Sequence, residues 1–227
     1  MKEQIENITK KIVNLKKYQH YISLRKKYKN YTMIPQSVFC DNLRLCNANM
    51  HLKGDVVECG TWKGGMIAAM AEIMGPNERN YYLFDSFEGL PKAEEIDGIA
   101  ANEWQRNTLS PNYFDNCKTE MSFAESAMKM AGVLKPHIVK GWFSDTLPEN
   151  RFTKNIAILR LDGDWYESIY LCMKYLFPCV IENGLIIIDD YYIWDGTSKA
   201  IHDYLSEIKT QSKIYTLSGG VAYIIKK

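Results

Sequence analysis

The sequence lacks several features that would assign it to common protein classes. No apolar run approaches the length needed to cross a membrane, and the N-terminus lacks the hydrophobic core of a signal peptide. The six cysteines form no CxxC pair and have no histidine partners at zinc spacing. Such scattered cysteines are typical of free thiols in a reducing compartment, so we expect a cytoplasmic protein.

An excess of charge of either sign is also absent. The chain has 28 Lys and Arg against 27 Asp and Glu, a net charge of +1, which predicts no nucleic-acid partner. Repeats and low-complexity tracts are missing as well. What is present is 227 residues with 46% apolar content, enough for one domain with a full core.

Paired carboxylates follow two apolar, β-branched runs in the second half of the chain. The first run ends in Asp162 and Asp164, and the second ends in Asp189 and Asp190. The interval 166–178 has the length of a crossover helix, so the two runs are predicted to be neighbouring parallel strands. Ligands bind beyond the carboxyl ends of such strands, and all four acids are expected at this rim.

Four carboxylates on one partly dry rim repel each other unless a cation or added protons offset their charge. Oxygen ligands favour Mg²⁺, with Mn²⁺ or Ca²⁺ as alternatives, and the absence of nearby His or Cys argues against zinc. In a structural interpretation, Asp164 would cap a helix and the second pair would simply end a strand. The occurrence of two matched pairs favours the metal site.

Residues 55–74 have the pattern of a strand, a glycine turn and a helix, the opening of a doubly wound nucleotide-binding sheet. The turn has the form ExGxxxGG rather than the GxGxxG of dinucleotide sites, and Glu58 would repel a pyrophosphate. A carboxylate there suits the ammonium and sulfonium of S-adenosylmethionine. A second strand ends at Asp85, where a ribose diol would bind. These features together predict S-adenosylmethionine as the cofactor.

Residues 1–30 differ from the rest, with nine Lys or Arg against two Glu. Apolar residues at helical spacing predict a basic, amphipathic helical arm. The arm could dock on a partner subunit in a homo-oligomer, lie peripherally on an anionic membrane surface, or pack on its own domain. The apolar stripe consists of Ile5, Ile8, Ile12, Leu15 and Ile22.

Three further segments complete the chain. Residues 91–117 are polar and are predicted to be an irregular substrate-gating lid, with a disordered surface excursion as the alternative. Trp142 follows a third strand and either stacks on an adenine or belongs to the core. Two β-like runs flank a Gly-Gly link near the C-terminus and predict a hairpin, preceded by a helix over 198–209.

Five ordered motifs resemble the macrocin O-methyltransferase (TylF-type) family, and the similarity extends from residue 32 to the C-terminus. It implies an α/β class I methyltransferase domain over 31–227, with a Rossmann-like, doubly wound, mostly parallel seven-stranded sheet and an antiparallel C-terminal edge hairpin. It also implies S-adenosylmethionine- and Mg²⁺-dependent methylation of a sugar hydroxyl. The motifs are VECGTWKGG (57–65), FDSFEGLP (84–91), VKGWFSDTLP (139–148), LRLDGDWYES (159–168) and IIIDDY (186–191).

The resemblance implies roles for individual residues. Asp164 would be the general base, although Asp162 and Asp164 alternate along one strand end and could exchange roles. The metal would be bound by Asp162, Asp189 and Asp190. The family often has Gly-Gly before its Asp-Asp strand, where this chain has Glu-Asn-Gly ending at Gly184. The methyl-donor site would be lined by Glu58, Gly60, Thr61, Asp85, Ser86, Gly141 and Trp142.

The acceptor is expected to be a small sugar or glycoside, either a bacterial glycan precursor or a natural-product deoxysugar. One alternative is a metal-dependent methyltransferase acting on a catechol-like or other vicinal diol, for which a flat acceptor would need an apolar slot rather than a polar lid. Another alternative is a non-catalytic binding protein that retains the fold. The acids at every expected strand end argue against that last interpretation, because a scaffold has no need to cluster negative charge.

Overall fold

The computed structural model describes residues 2–149 and 155–227, with side chains from residue 15 onwards. A seven-stranded sheet in the order β3-β2-β1-β4-β5-β7-β6 forms its centre. The first five strands are parallel, whereas β7 is antiparallel to both β5 and β6. The strands are β1 (Asp55–Cys59), β2 (Tyr81–Asp85), β3 (His137–Lys140), β4 (Ile156–Leu161), β5 (Val180–Ile188), β6 (Ile214–Thr216) and β7 (Ala222–Ile225).

Helices cover both faces of this sheet, because the central strands carry apolar side chains on both sides. Neighbouring residues of β4 show the alternation: Ile158 packs in the core formed with α2, α3 and α5, and Leu159 in the core formed with α7 and α8. The helices are α1 (Lys2–Lys27), α2 (Gln36–Ala48), α3 (Gly65–Met74), α4 (Gly98–Arg106), α5 (Met121–Met130), α6 (Phe143–Glu149), α7 (Tyr166–Leu176) and α8 (Asp195–Glu207).

The strand order confirms the predicted fold class. Strands β4 and β5 are parallel neighbours, with Leu161 opposite Ile188, and α7 is their crossover helix. Strands β6 and β7 form the predicted antiparallel edge. Asn183 has a φ of 60°, the left-handed geometry that an asparagine tolerates in place of the family's glycine. The order reverses between β1 and β4, which opens a ligand crevice beyond their carboxyl ends.

The second half of α1 packs on its own domain rather than forming a separate arm. Tyr21, Leu24 and Tyr28 are buried in the core shared with α2 and α3. Leu15 is 61% exposed, so this member of the predicted stripe does not pack on the domain. The side chains of Ile5, Ile8 and Ile12 lie outside the described residues. Among the described residues, none of the helices combines the length and apolar content needed to cross a membrane.

The lid segment 91–117 contains regular secondary structure, so the prediction of an irregular loop was wrong. A 3₁₀ turn at Glu95–Asp97 leads into α4, and a left-handed turn follows at Phe114–Cys117. Asp97 is 3% exposed, and its carboxylate accepts hydrogen bonds from the backbone N–H groups of Tyr166 at 2.7 Å and Glu94 at 2.8 Å. The lid is therefore anchored on the N-terminus of α7.

Candidate active site

The carboxyl ends of β1, β2, β4 and β5 border a cleft of about 640 Å³. The N-terminal segment before α2, the lid and the loop after β5 complete its walls. All of the predicted site residues line this cleft: Glu58, Gly60, Thr61, Asp85, Ser86, Gly141, Trp142, Asp162, Asp164, Asp189 and Asp190. The sheet therefore brings together residues that lie more than 130 positions apart in the chain.

Backbone hydrogen bonds continue between the strands beyond their last residues. The N–H of Asp189 donates to the carbonyl of Leu161 at 3.0 Å, and the N–H of Asp162 donates to that of Cys59 at 2.9 Å. These bonds hold the acid-bearing segments in register. The acids consequently sit on a fixed backbone rather than on loose loops.

Three of the acids form a group that could hold a metal ion. Asp162, Asp189 and Asp190 each present one carboxylate oxygen within 4.8 Å of the other two. Asp164 lies beside this triad, and its Oδ1 accepts a hydrogen bond from the indole N–H of Trp194 at 2.8 Å. The geometry thus separates three candidate ligands from a fourth acid with a different environment.

A buried arginine balances part of this negative charge, and sequence reasoning missed it. Arg160 is 0% exposed, and its Nη1 lies 2.9 Å from Glu58 Oε1 and 2.7 Å from Asp162 Oδ2. Its Nη2 lies 2.7 Å from Asp189 Oδ1, and its Nε donates to Asn42 Oδ1 at 3.0 Å. The available signal was a lone charged residue inside a β-branched run, since a buried charge requires partners.

Glu58 has a different neighbour from the one expected. It lines the cleft, but its side chain is only 1% exposed, and the cation beside it is Arg160. Its second oxygen, Oε2, is buried and has no hydrogen-bond partner among the described residues. Glu58 therefore balances Arg160, and one buried acceptor site on its carboxylate remains open.

The acid cluster carries more negative charge than one guanidinium can offset. Burial and neighbouring carboxylates raise the pKa of Asp164 to about 7 and lift the pKa of Asp190 well above its usual range. Burial also raises the pKa of Glu58 to about 8 and of Asp189 to about 6, although Arg160 lowers both. A side-chain hydrogen bond links Asp164 to Asp190.

These environments fit a divalent cation. The contacts of Arg160 use Oδ2 of Asp162 and Oδ1 of Asp189, so the other oxygen of each carboxylate is outside those ion pairs. No ion pair joins Arg160 to Asp190 among the described residues. Three hard oxygen ligands next to an excess of negative charge are the donor set that Mg²⁺ or Mn²⁺ takes.

The carboxylate of Asp85 shapes the other half of the cleft. Its Oδ2 accepts from the backbone N–H of Trp62 at 2.7 Å, and its Oδ1 accepts from that of Phe87 at 2.7 Å. Burial raises the pKa of Asp85, and these N–H groups oppose the rise. Ser86 is committed to its own turn, because its hydroxyl donates to the carbonyl of Gly89 at 2.9 Å.

The glycine after β1 is required by a close approach of two strands. Gly60 has a φ of +82°, and a Cβ atom there would overlap the backbone carbonyl of Asp162. Trp142 lines the cleft and is 39% exposed, so it is not a core residue.

The lid presents apolar side chains to the cleft. Trp104 and Phe114 line it, together with Leu90 and Pro91 at the start of the segment. A polar lid was expected to distinguish a sugar acceptor from a flat aromatic one. The charged residues of the lid do not line the cleft, whereas the polar Asn112 lines it beside the two aromatic side chains.

Comparisons with known proteins agree with this architecture. The macrocin O-methyltransferase (TylF) family model matches residues 5–225. The chain is 31% identical over 187 residues to 8-demethyl-8-(2,3-dimethoxy-alpha-L-rhamnosyl)-tetracenomycin-C 4'-O-methyltransferase of Streptomyces olivaceus, covering 79% of this chain and 69% of that one. It is 28% identical over 193 residues to demethyldecarbamoylnovobiocin O-methyltransferase of Streptomyces niveus, covering 81% and 71%.

Solved structures show the same fold. The O-methyltransferase NovP superposes with a TM-score of 0.71 and 25% identity, covering 87% of this chain and 82% of that one. The calicheamicin methyltransferase CalS11 has a TM-score of 0.56 and 18% identity over 93% of this chain and 91% of that one. The second likeness is one of fold.

Proposed function

The chain belongs to the macrocin O-methyltransferase (TylF) family and is an O-methyltransferase; from this premise we propose that it moves the methyl group of S-adenosylmethionine to a sugar hydroxyl. The observation that carries the proposal is the triad of Asp162, Asp189 and Asp190 with Asp164 beside it. An acceptor oxygen placed there would lie next to both a cation site and a candidate base. The name of the Streptomyces olivaceus relative specifies methylation on a rhamnosyl tetracenomycin.

The donor would occupy the half of the cleft above β1 and β2. Gly60 has no side chain to fill the space at the end of β1. The carboxylate of Asp85, at the end of β2, would bind the ribose diol of the donor. The open oxygen of Glu58 and the acids of β4 would favour the cationic end of the donor. Trp142 and Gly141 would border the adenine.

Asp162, Asp189 and Asp190 would hold Mg²⁺ or Mn²⁺, and a bound cation supplies polarisation that makes a sugar hydroxyl more acidic. Asp164 would accept the hydroxyl proton, because its carboxylate lies beside the triad and is held there by the indole N–H of Trp194 at 2.8 Å. The acceptor oxygen forms its bond to the methyl carbon while the sulfur–methyl bond breaks. S-adenosylhomocysteine leaves, and the proton passes from Asp164 to solvent. Orientation of the two substrates lowers much of the barrier.

Calorimetry of the purified protein tests the donor and metal sites separately. S-adenosylmethionine and Mg²⁺ are titrated individually, with EDTA present in a parallel donor titration. Asp190→Asn should weaken Mg²⁺ binding at least tenfold and leave the pairs of Arg160 intact. The matched control is Asp203→Asn, which removes an exposed carboxylate paired with Lys199 at 2.8 Å. Absence of donor binding to the wild type, or equal Mg²⁺ affinity in both variants, would contradict the proposal.

The apolar lid wall supports one second candidate, methylation of a catechol-like or other vicinal diol. Trp104 and Phe114 could stack on a flat ring. A competition assay with a rhamnosyl glycoside and a catechol at equal concentration separates the two. We expect methyl transfer to the sugar, and exclusive transfer to the catechol would reverse the order of the two candidates.

The remaining proposals concern where the protein acts. No disulfide joins any of the six cysteines, all of which are described, and this supports a cytoplasmic location. Leu15 and Tyr18 are 61% and 41% exposed on α1, beside Lys16 and Lys17. This exposed surface would serve a homo-oligomer contact or a peripheral membrane contact. Sedimentation with and without anionic vesicles distinguishes these two roles.

A further inference from the structure

Three tryptophans from separate elements pack together beside the acid cluster. Trp104 belongs to the lid helix α4, Trp165 precedes α7 and Trp194 precedes α8. Their ring centroids are 5.3 Å apart for Trp165 and Trp194, and 6.1 Å apart for each pair that includes Trp104. All three contacts are edge-to-face, the arrangement that aromatic pairs prefer. We call this group the tryptophan cluster.

The three indole N–H groups have different acceptors. Trp104 donates to the carbonyl of Asn112 at 3.0 Å, and Trp165 donates to the carbonyl of Pro91 at 2.9 Å. Both of these bonds hold the lid segment. Trp194 donates to Oδ1 of Asp164 at 2.8 Å. Trp194 is thus the member whose polar atom is directed at the site.

A residue at the start of α8 also holds the backbone of Asp164. Its carbonyl accepts a hydrogen bond from the hydroxyl of Thr197 at 2.5 Å, and its φ of 57° is a left-handed value uncommon outside glycine. This backbone contact does not fix the direction of the carboxylate, because the χ2 torsion of an aspartate has no sharply preferred value. Its direction is therefore set by the groups that bond to it, which are the indole N–H of Trp194 and the side chain of Asp190.

We propose that Trp194 is a positioning residue for methyl transfer: its indole N–H fixes the carboxylate of Asp164 toward the acceptor hydroxyl. The proposal rests on the proposed function of Asp164 as the base. The edge-to-face contact with Trp104 joins Trp194 to the lid, so a docked lid also sets the plane of its ring. Trp194 acts through Asp164, and Trp165 serves as a packing neighbour whose N–H holds the lid.

Matched substitutions separate positioning from packing. Trp194→Phe and Trp165→Phe both keep an aromatic ring and remove one N–H from the same cluster. We expect Trp194→Phe to lower kcat about 10- to 100-fold, because a misdirected base loses most of its catalytic contribution, with the acceptor KM within about twofold. Trp165→Phe should keep kcat within about threefold. The thermal midpoint and donor affinity of both variants are measured in parallel.

A double-mutant cycle with Asp164→Asn gives the sharper test. If Trp194 acts through Asp164, Trp194→Phe will cost little further rate once the carboxylate is gone. Trp194→His keeps a ring N–H and should retain more of kcat than Trp194→Phe, which provides a second variant if the phenylalanine protein folds poorly.

Four outcomes would overturn the positioning role: multiplicative losses in the cycle, equal kcat for the two Trp194 variants, a loss confined to acceptor KM, or a Trp194→Phe variant as active as the wild type. A wild-type enzyme that methylates no sugar would instead refute the proposed function. A wild-type enzyme that is active while Trp194→Phe is equally active would refute only the role of Trp194. The two failures are therefore distinguishable.

Discussion

Replacing Arg160 with methionine should destabilise the protein strongly. The guanidinium is completely buried, with nitrogens 2.9 Å from Glu58, 2.7 Å from Asp162 and 2.7 Å from Asp189. Removing one partner from a buried ion-pair group leaves charges without compensation and costs about 3–5 kcal/mol. For a chain of this size, each kcal/mol lowers the midpoint by about 2–4 °C, so we expect a drop on the order of 10 °C at pH 8.

The loss of stability in Arg160→Met should also depend on pH and on Mg²⁺. At pH 5 the carboxylates can take up protons, so the effect of Arg160→Met should be smaller than at pH 8. Saturating Mg²⁺ should recover part of the midpoint, because a cation replaces some of the missing positive charge. Thermal unfolding followed by circular dichroism measures all of these conditions.

A control arginine lies elsewhere in the fold. Arg79 donates to the carbonyl oxygens of Leu52 at 3.1 Å and Gly54 at 3.4 Å, and no described carboxylate pairs with it. Arg79→Met should therefore cost less stability, with no dependence on pH or Mg²⁺. A loss for Arg160→Met below about 3 °C at pH 8, or an equal loss at both pH values, would refute the charge-compensation argument.

Three further predictions concern the cleft and its lid. Gly60→Ala should abolish donor binding in calorimetry because its Cβ overlaps the backbone at the end of β4, whereas Gly132→Ala, at a φ of +81° with its nearest neighbouring atom 3.9 Å from the Cβ, should bind the donor normally. The raised pKa values of Asp164 (about 7) and Asp189 (about 6) mean that the folded protein holds more protons than the unfolded chain. Metal-free stability should therefore be greatest below about pH 4 as far as these groups decide it, and this contribution should fall steadily as the pH rises to 8 in urea titrations; an increase across pH 5–8 would contradict the assignment. Asp97→Ala should free the lid, with faster proteolysis within 91–117 and a higher acceptor KM, and unchanged cleavage would show that the anchor is dispensable.

Much of the fold could be predicted because its information is local. Apolar runs, glycine turns and helical periodicity can be recognised within short windows of sequence, so β1, β2, β4 and α7 were predicted close to their observed bounds, whereas β5 begins at Val180, before the predicted apolar run. The acids after β4 and β5 were placed together for the same reason, since parallel strands align their carboxyl ends. Helical periodicity did not predict α6, because Pro148 lies inside that helix.

The features that were missed depend on contacts distant in the sequence. Arg160 meets Glu58, which lies 102 residues earlier, and Asn42, which lies 118 residues earlier, so no short window contains its partners. The lid is polar in composition, but it is ordered by the carboxylate of Asp97 reaching the N-terminus of α7 69 residues away. Trp194 carries no local sequence signal, because only the fold places its N–H beside Asp164. Such tertiary pairings determine the chemistry of the site.

The most direct test of the central claim is transfer of a ¹³C-labelled methyl group from S-adenosylmethionine to a rhamnosyl glycoside, followed by NMR. We expect a new O-methyl resonance on the sugar in the presence of Mg²⁺, with strong loss of that signal in EDTA and in Asp190→Asn. We also expect an undiminished signal in Asp203→Asn. A sugar signal that persists unchanged in EDTA and in Asp190→Asn would contradict the metal-assisted account, and labelling of a catechol but no sugar would contradict the proposed acceptor.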